Sequence, residues 1–382
     1  MGFSTQHLNG FIRNEALLLF NTAIGDPCYL YRDSLVIELL GRRKVVSSSS
    51  INGGTRDDIQ FIFNNSCSKR REVVEKINCP MQENNLREYY QGLCRNLGLP
   101  LDTTVGMNTA ARIENYGVAS RCYHNVEVMV VATAGIDVNG GRAGDKATYN
   151  EFEHKDILPA PGTINMMIFI NAHLDGGVLT RVLVTATEAK TVVLQELMAG
   201  SRYSEGIATG SGTDTIVAVC NEESEVELFD AGKHVILGEM IGEATIEALR
   251  DALNKQSGMN AQRQSSIEWQ GGRYGITRQR IVDSFQHLFP QKVDAKLLNN
   301  VLSSLDQDNR LVGIMASVLH LCDQNKWGII TDETLTILAE KYITLISQQQ
   351  EYKQLSQSKG YKGIVEKLIK AFAYQLYGEL NK

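Results

Sequence analysis

The apolar positions of this chain change period several times, and each change marks an element. From Cys28 to Phe63, short apolar runs (Leu35 to Leu40, Ile59 to Phe63) alternate with polar breaks, which predicts strands on tight connections. Glu83 to Asn96 is helical in composition. Val126 to Ala132 (VEVMVVA) is rich in β-branched residues and predicts a strand, and Gly162 to Leu174 (GTINMMIFINAHL) predicts a second, buried one. Between Gly177 and Ala199, Leu179, Leu183, Ala186, Val193, Leu194 and Leu197 fall at helical spacing, so a helix is expected despite the many valines and threonines. Ala208 to Cys220 predicts a glycine loop leading into a strand, and Gly238 to Lys255 carries an amphipathic stripe through Ile241, Ile246, Leu249 and Leu253.

After Lys255 the style changes. Gln256 to Tyr274 is polar and punctuated by glycine, which reads as a linker. Every segment beyond it is helical in pattern: Arg278 to Phe289, Ala295 to Leu305, Leu311 to Asn325, Asp332 to Gln349 and Gly363 to Leu380. The expected fold class is therefore α+β, a layered α/β sandwich with a mixed sheet, plus a C-terminal all-helical segment. The expected divisions are residues 1–255, a linker at 256–275, and 276–382.

Composition narrows the function classes. Of 382 residues, 43% are apolar, with 33 Gly and 6 Pro, so a packed core is affordable and a disordered or collagenous chain is excluded. A formal charge of −6 argues against a broad nucleic-acid or anionic-membrane footprint. Seven scattered cysteines without a CxxC pair fit free thiols in a reducing cytosol, and no leader or membrane span is evident, so a cytoplasmic location is expected. The histidines include no HExxH and no HxH pair, although His124, His154, His173 and His234 are free to converge in space.

Candidate chemistry concentrates in glycine-rich loops. TAGIDVNGGRAGD (Thr133 to Asp145) follows a strand directly, an arrangement that presents backbone donors to a ligand or simply reverses the chain. ATGSGTD (Ala208 to Asp214) is a second such loop, and SSSSINGG (Ser47 to Gly54) is either plain turn or a site lining. No GxSxG is present, and GGRAGDKAT misses the phosphate-loop pattern because Asp145 separates glycine from Lys146. Asp137, Asp145, Glu188 and Asp214 are the carboxylates near the loops; Ser211, Thr213 and Ser47 to Ser50 are the available hydroxyls. Glu188 and Lys190 are two apart, so on a helix they face different directions.

The ordered set TAGIDVNGGRAGD, GTINMMIFINAHL, TRVLVTATEAKTVVLQEL and ATGSGTDTIVAV, with SSSSINGG upstream, resembles the adenosylcobinamide amidohydrolase family from about Cys28 to Lys255. The helical tail lies outside that resemblance. It implies cleavage of the amide between the corrin ring and aminopropanol in adenosylcobinamide, leaving adenosylcobyric acid for cobalamin salvage. The cobalt then belongs to the corrinoid substrate, and neither a protein-held metal nor another cofactor is expected.

By the same resemblance the catalytic set falls on Glu188, Asp214, Lys190 and Asn165: Glu188 or Asp214 as base, Lys190 stabilising charge, Asn165 hydrogen-bonding the substrate amide. The substrate-binding set falls on Ser48, Ser49, Asn52, Gly53, Gly135, Gly144, Asp145, Thr163, Thr209, Gly210 and Thr213, and Met166, Met167 and Phe169 are either core or pocket lining. The competing readings are a non-catalytic corrinoid-binding protein, an amidohydrolase or acyltransferase with a Ser/Thr nucleophile acting on another substrate, and a nucleotide binder. No nucleic-acid or membrane partner is expected. The tail is expected to act as a homodimer contact, a lid or a docking surface.

Overall fold

Why eight consecutive residues, Thr163 to Ile170, are all buried follows from their place in the fold: they form a central strand covered on both faces. The computed structural model describes residues 15–67, 86–150, 152, 155–156, 162–346 and 360–382, and the chain divides into two compact units. The first comprises residues up to Glu196 and Ala208–Asn260; the second comprises Leu197–Ile207 and Ala261–Lys382.

The first unit contains two main sheets. One has the order β1-β2-β3-β6-β7, built from β1 (Leu17–Asn21), β2 (Pro27–Tyr31), β3 (Ser34–Glu38), β6 (Phe61–Ser66) and β7 (Thr104–Thr109). The other has the order β5-β4-β16-β13-β9-β8, from β4 (Arg43–Ser47), β5 (Gly54–Arg56), β8 (Gly117–Tyr123), β9 (Val126–Gly135), β13 (Thr163–Ile170) and β16 (Thr215–Asn221). Both sheets are mixed: β13 runs parallel to β16, β6 runs parallel to β7, and the other pairings within them are antiparallel. Three two-stranded ribbons complete the strands: β10 (Gly140–Gly141) with β15 (Gly210–Ser211), β11 (Tyr149–Asn150) with β12 (Lys155–Asp156), and β14 (His173–Leu174) with β17 (Glu227–Leu228).

Four layers result. Leu35, Ile37, Ile62, Val105 and Met107 of the first sheet share one core with Val131, Met167, Phe169, Val217 and Val219 of the second, so the sheets pack face to face. Val36, Phe61 and Phe63 point the other way, onto Tyr90, Leu93 and Leu97 of helix α1 (Leu86–Leu97). Helices α2 (Gly176–Glu196) and α3 (Ile236–Ser257) cover the outer face of the second sheet. Met166, Met167 and Phe169 are all buried core, which settles their reading as packing residues.

The β-branched helix α2 forms because its threonines have local partners. The hydroxyls of Thr180, Thr187 and Thr191 donate to the carbonyls of Gly176, Leu183 and Thr187, and Asp175 Oδ1 accepts from the N–H groups of Gly177 and Val178 at the helix start. Its apolar face, Leu179, Val182, Ala186, Val193 and Leu194, is buried, and each of its leucine and valine side chains contributes about 1.5–3 kcal/mol of burial.

The second unit is helical, and residues 256–275 do not form a linker. Gln256 and Ser257 end α3, and the rest folds into α4 (Ala261–Gln264), α5 (Ile267–Gly271) and a 3-10 turn at Gly272–Tyr274, with Ile267, Tyr274 and Ile276 buried. Glycine and glutamine in this stretch disguise a buried ladder whose apolar members are too few to show a period. Helices α6 (Arg278–Leu288), α7 (Ala295–Asp306), α8 (Asn309–Lys326), α9 (Asp332–Ile343) and α10 (Gly360–Leu380) follow, around a core that includes Phe285, Met315, Leu335 and Phe372. Residues 83–85 and 347–349 of the expected helices lie outside the described residues. None of the helices among the described residues is long and apolar enough to cross a membrane.

Candidate active site

Parallel pairing of β13 with β16 brings Asn165 beside Thr215, and antiparallel pairing of β13 with β9 brings Thr163 beside Gly135. The loops entering β13 and β16 therefore meet at one end of the sheet. The ribbon β10–β15 adds the glycine loop, pairing Gly140 with Ser211 and Gly141 with Gly210. Thr209 N–H donates to the Gly141 carbonyl, and Ala143 N–H donates to Thr209 Oγ1. Within that loop Gly144 has φ +93°, and Asp145 Oδ2 accepts from Arg142 N–H.

At the centre lies an ion pair. Lys190, on the buried face of α2, places Nζ 2.5 Å from Asp214 Oδ2, and the two side chains are 9% and 10% exposed. Asp214 accepts three further hydrogen bonds: Ile164 N–H and Ser211 Oγ on Oδ1 at 3.0 and 2.6 Å, and Ser211 N–H on Oδ2 at 3.0 Å. Each carboxylate oxygen thus takes two donors, which fills the lone-pair positions of an ionised carboxylate. Gly210 is required by this closeness: a Cβ there would lie 2.3 Å from Asp214 Oδ2 and 2.6 Å from Lys190 Nζ. Thr163 Oγ1 donates to the Thr213 carbonyl and Thr213 Oγ1 to the Gly162 carbonyl, locking the two loops together.

Deeper between the sheets, Asn165 points toward the first sheet. Its Nδ2 donates to Asn64 Oδ1 at 2.8 Å and to the Asn108 carbonyl at 3.0 Å, and Asn64 Nδ2 donates to Thr133 Oγ1 at 2.8 Å.

The structure therefore gathers Lys190, Asp214, Asn165, Gly135, Gly144, Asp145, Thr163, Thr209, Gly210 and Thr213 at one end of the sheet. Ser48 joins them, because its N–H donates to the Ile216 carbonyl and its Oγ accepts from Ile216 N–H. Ser49, Asn52 and Gly53 instead shape the turn after β4. Ser49 Oγ donates to the Gly106 carbonyl, Asn52 Nδ2 donates to the Leu101 and Thr104 carbonyls, and a Cβ on Gly53 would strike the Ser49 carbonyl at 2.1 Å.

Glu188 is not brought to this centre. It lies on the exposed side of α2, half-exposed, with an oxygen 2.7 Å from Lys233 Nζ. Of the four candidate histidines, His124 occupies a tight turn with φ +51° and its ring against Tyr123, His173 Nε2 lies 4.0 Å from Glu227 Oε1, His234 is exposed in the turn before α3, and His154 lies outside the described residues. Among the described residues there is no cluster of three or more metal-ligating side chains.

Ser211, one of the available hydroxyls in the sequence, is the one that reaches Asp214, and Asn64, Asn108 and Thr133 stand nearby without having been singled out. The signal for Asn64 was its type: asparagine is disfavoured within strands, so a buried Asn in FIFNNS marks a position held for a polar reason.

Fold and site together define an α+β protein with a serine, a carboxylate and an ammonium group joined by hydrogen bonds at the end of a mixed sheet. The comparisons place it among the amide hydrolases, since the profile of the adenosylcobinamide amidohydrolase family matches residues 21–261, and the chain belongs to that family. It is 31% identical over 234 residues to an uncharacterized protein of Methanocaldococcus jannaschii, covering 58% of this chain and 86% of that protein. Among solved structures it is similar to a beta-aminopeptidase from a Burkholderia species, with 16% identity, a TM-score of 0.31, and coverage of 63% of this chain and 83% of the other. A protein from Pyrococcus horikoshii OT3 is also similar, with 16% identity, a TM-score of 0.28, and coverage of 62% and 82%.

Proposed function

We propose that this protein hydrolyses the amide joining aminopropanol to the corrin ring of adenosylcobinamide, giving adenosylcobyric acid and aminopropanol for cobalamin salvage. Family membership supports the substrate class. The observation that carries the chemistry is the 2.6 Å hydrogen bond from Ser211 Oγ to Asp214 Oδ1.

A general base must lie within hydrogen-bond reach of the proton it removes. All four acceptor positions of Asp214 are occupied, so a water reaches it only by displacing a donor, whereas the Ser211 hydroxyl proton is already there. This favours Ser211 as the nucleophile over directly activated water. Ser211 Oγ attacks the amide carbonyl, and its proton passes to Asp214 and then to the departing nitrogen. The C–N bond breaks, aminopropanol leaves as the amine, and the corrinoid acyl group stays as a Ser211 ester. Water then cleaves the ester and restores the hydroxyl. Lys190 has three N–H donors and gives one to Asp214; its fixed positive charge orients the carboxylate and stabilises the tetrahedral oxyanion.

The test is incubation with adenosylcobinamide and assay of free aminopropanol, together with the intact mass of the protein during turnover. Release of aminopropanol with a corrinoid ester on the protein is the expected result, and Ser211→Ala lowers turnover by at least about 10³-fold. Undiminished release by that variant overturns the serine mechanism, and no release by the wild-type protein overturns the reaction.

A further inference from the structure

Of the four hydrogen bonds that Asp214 accepts, only one comes from a group that the reaction consumes. On Oδ2 the donors are Lys190 Nζ at 2.5 Å and the Ser211 N–H at 3.0 Å; on Oδ1 they are the Ile164 N–H at 3.0 Å and the Ser211 hydroxyl at 2.6 Å. Three of these persist through any chemistry at the serine oxygen. Two are main-chain groups, one in the central strand β13 and one in the ribbon paired with Gly140, and the third is the ammonium group on the buried face of α2. They hold the carboxylate in one place, and the side chains of Asp214 and Lys190 are only 10% and 9% exposed, so little solvent reaches it.

Acylation of Ser211 removes the fourth donor. The ester oxygen carries no hydrogen, so Oδ1 keeps the Ile164 N–H and has one acceptor position open beside the ester. A poorly solvated carboxylate oxygen with an open position draws a donor to it, because leaving it unpaired is costly. Two candidates are at hand: water, and the amine that has just taken its proton from Asp214 and so departs from this same place. Each has a hydrogen to give Oδ1 and a lone pair to attack with, and an uncharged amine is the stronger nucleophile. We infer that the protein also exchanges amines, passing the acyl group of the Ser211 ester to a small primary amine as well as to water. The amine nitrogen attacks the ester carbonyl and gives one proton to Asp214 Oδ1. The C–O bond to Ser211 Oγ breaks, and Oγ takes that proton, so an amide and a free serine hydroxyl are formed with no further reactant. This second activity rests on the serine mechanism above and adds to it a second class of acyl acceptor, which competes with water for one position on Asp214.

The experiment incubates the wild-type protein with adenosylcobinamide and isotopically labelled aminopropanol at several concentrations, at neutral and alkaline pH, and follows both corrinoids by mass spectrometry. Label is expected to enter adenosylcobinamide in proportion to the labelled amine, and faster at alkaline pH, where more of the amine is uncharged. Adenosylcobyric acid with labelled aminopropanol is expected to give no labelled amide, because a free carboxylate does not acylate the serine. Ser211→Ala is expected to lower label uptake and hydrolysis together by at least about 10³-fold. Release of aminopropanol with no label uptake at any amine concentration overturns the exchange and leaves the hydrolysis reading intact. Uptake that persists in Ser211→Ala, or that proceeds equally from adenosylcobyric acid, also overturns it. Neither release nor uptake by the wild-type protein overturns both.

Discussion

Lys190 and Asp214 form a buried ion pair across 24 residues of sequence, one from a helix face and the other from a glycine loop. Neither group is tolerable alone at this depth. Removing one partner from a buried pair costs about 3–5 kcal/mol, because the other is left charged without compensation.

Gly210→Ala tests how closely that pair is built in. The added methyl carbon meets both charged groups at under 3 Å, so one or both side chains must shift from their paired positions. Turnover is expected to fall by about 10²-fold or more and the melting temperature to drop, by an amount set by the loss of a buried pair. Gly212→Ala adds a carbon with nothing within 4 Å and leaves the melting temperature unchanged. Equal effects of the two substitutions remove Gly210 from the argument.

Glu188→Gln separates the two carboxylates proposed as base. Glu188 is half-exposed and bridged to a lysine that is itself mostly exposed, an arrangement worth no more than about 1 kcal/mol. Its variant is expected to turn over within about threefold of wild type, whereas Asp214→Asn is inactive and also melts lower, because Lys190 is left charged without compensation. Loss of activity in Glu188→Gln would move the base to the outer side of α2.

Stability against acid is expected to depend on Glu222. The hydrogen bond from Lys44 holds its carboxyl below the usual 4.5, against the opposing effect of burial, and the Lys44 ammonium is correspondingly raised above 10.5. A depressed carboxyl contributes stability above its ordinary value and loses it as pH falls through the folded-state value. A raised ammonium contributes below 10.5 and loses it as pH rises further. Both contributions are therefore complete at neutral pH. In Glu222→Gln the melting-temperature deficit should be constant across the neutral range and shrink below about pH 4.5. A deficit that persists unchanged into acid means the pair contributes nothing.

In the helical unit, Asp323 carries a comparable load. Arg273 Nη1 and Nη2 donate to its two oxygens at 2.8 and 2.6 Å, Tyr274 OH donates at 2.8 Å, and Arg273 also donates to the Glu205 carbonyl. Burial and the neighbouring Asp323 charge raise the Tyr274 hydroxyl well above its ordinary range. Asp323→Ala should destabilise this unit by about 3–5 kcal/mol. Limited proteolysis should then open Leu197–Ile207, the segment that joins the helix bearing Lys190 to the loop bearing Asp214. Unchanged cleavage at that segment would show that the arginine is not what holds it.

Strands, the two long helices and the switch to an all-helical tail were legible in the sequence because each depends on local periodicity. The core strand from Thr163 and the helix from Gly176 begin within one residue of where their patterns place them, and each ends three or four residues early. Residues 256–275 were misread because short buried turns carry too few apolar positions to reveal a period. The glycine loops were legible as close turns of the backbone, but glycine spacing alone left open whether they line a site or only reverse the chain.

What only the tertiary structure decided is which polar groups face one another. Sequence spacing separated Glu188 from Lys190 on α2, but it could not say which of them turned inward, because that depends on where the sheet lies. The choice of Asp214 as partner, the bonds it accepts from Ser211 and the contacts of Asn165 with Asn64 and Asn108 all come from how the strands pair. Hydrogen bonds act over about 3 Å, and the residues that make them in the site lie up to 168 positions apart in the chain.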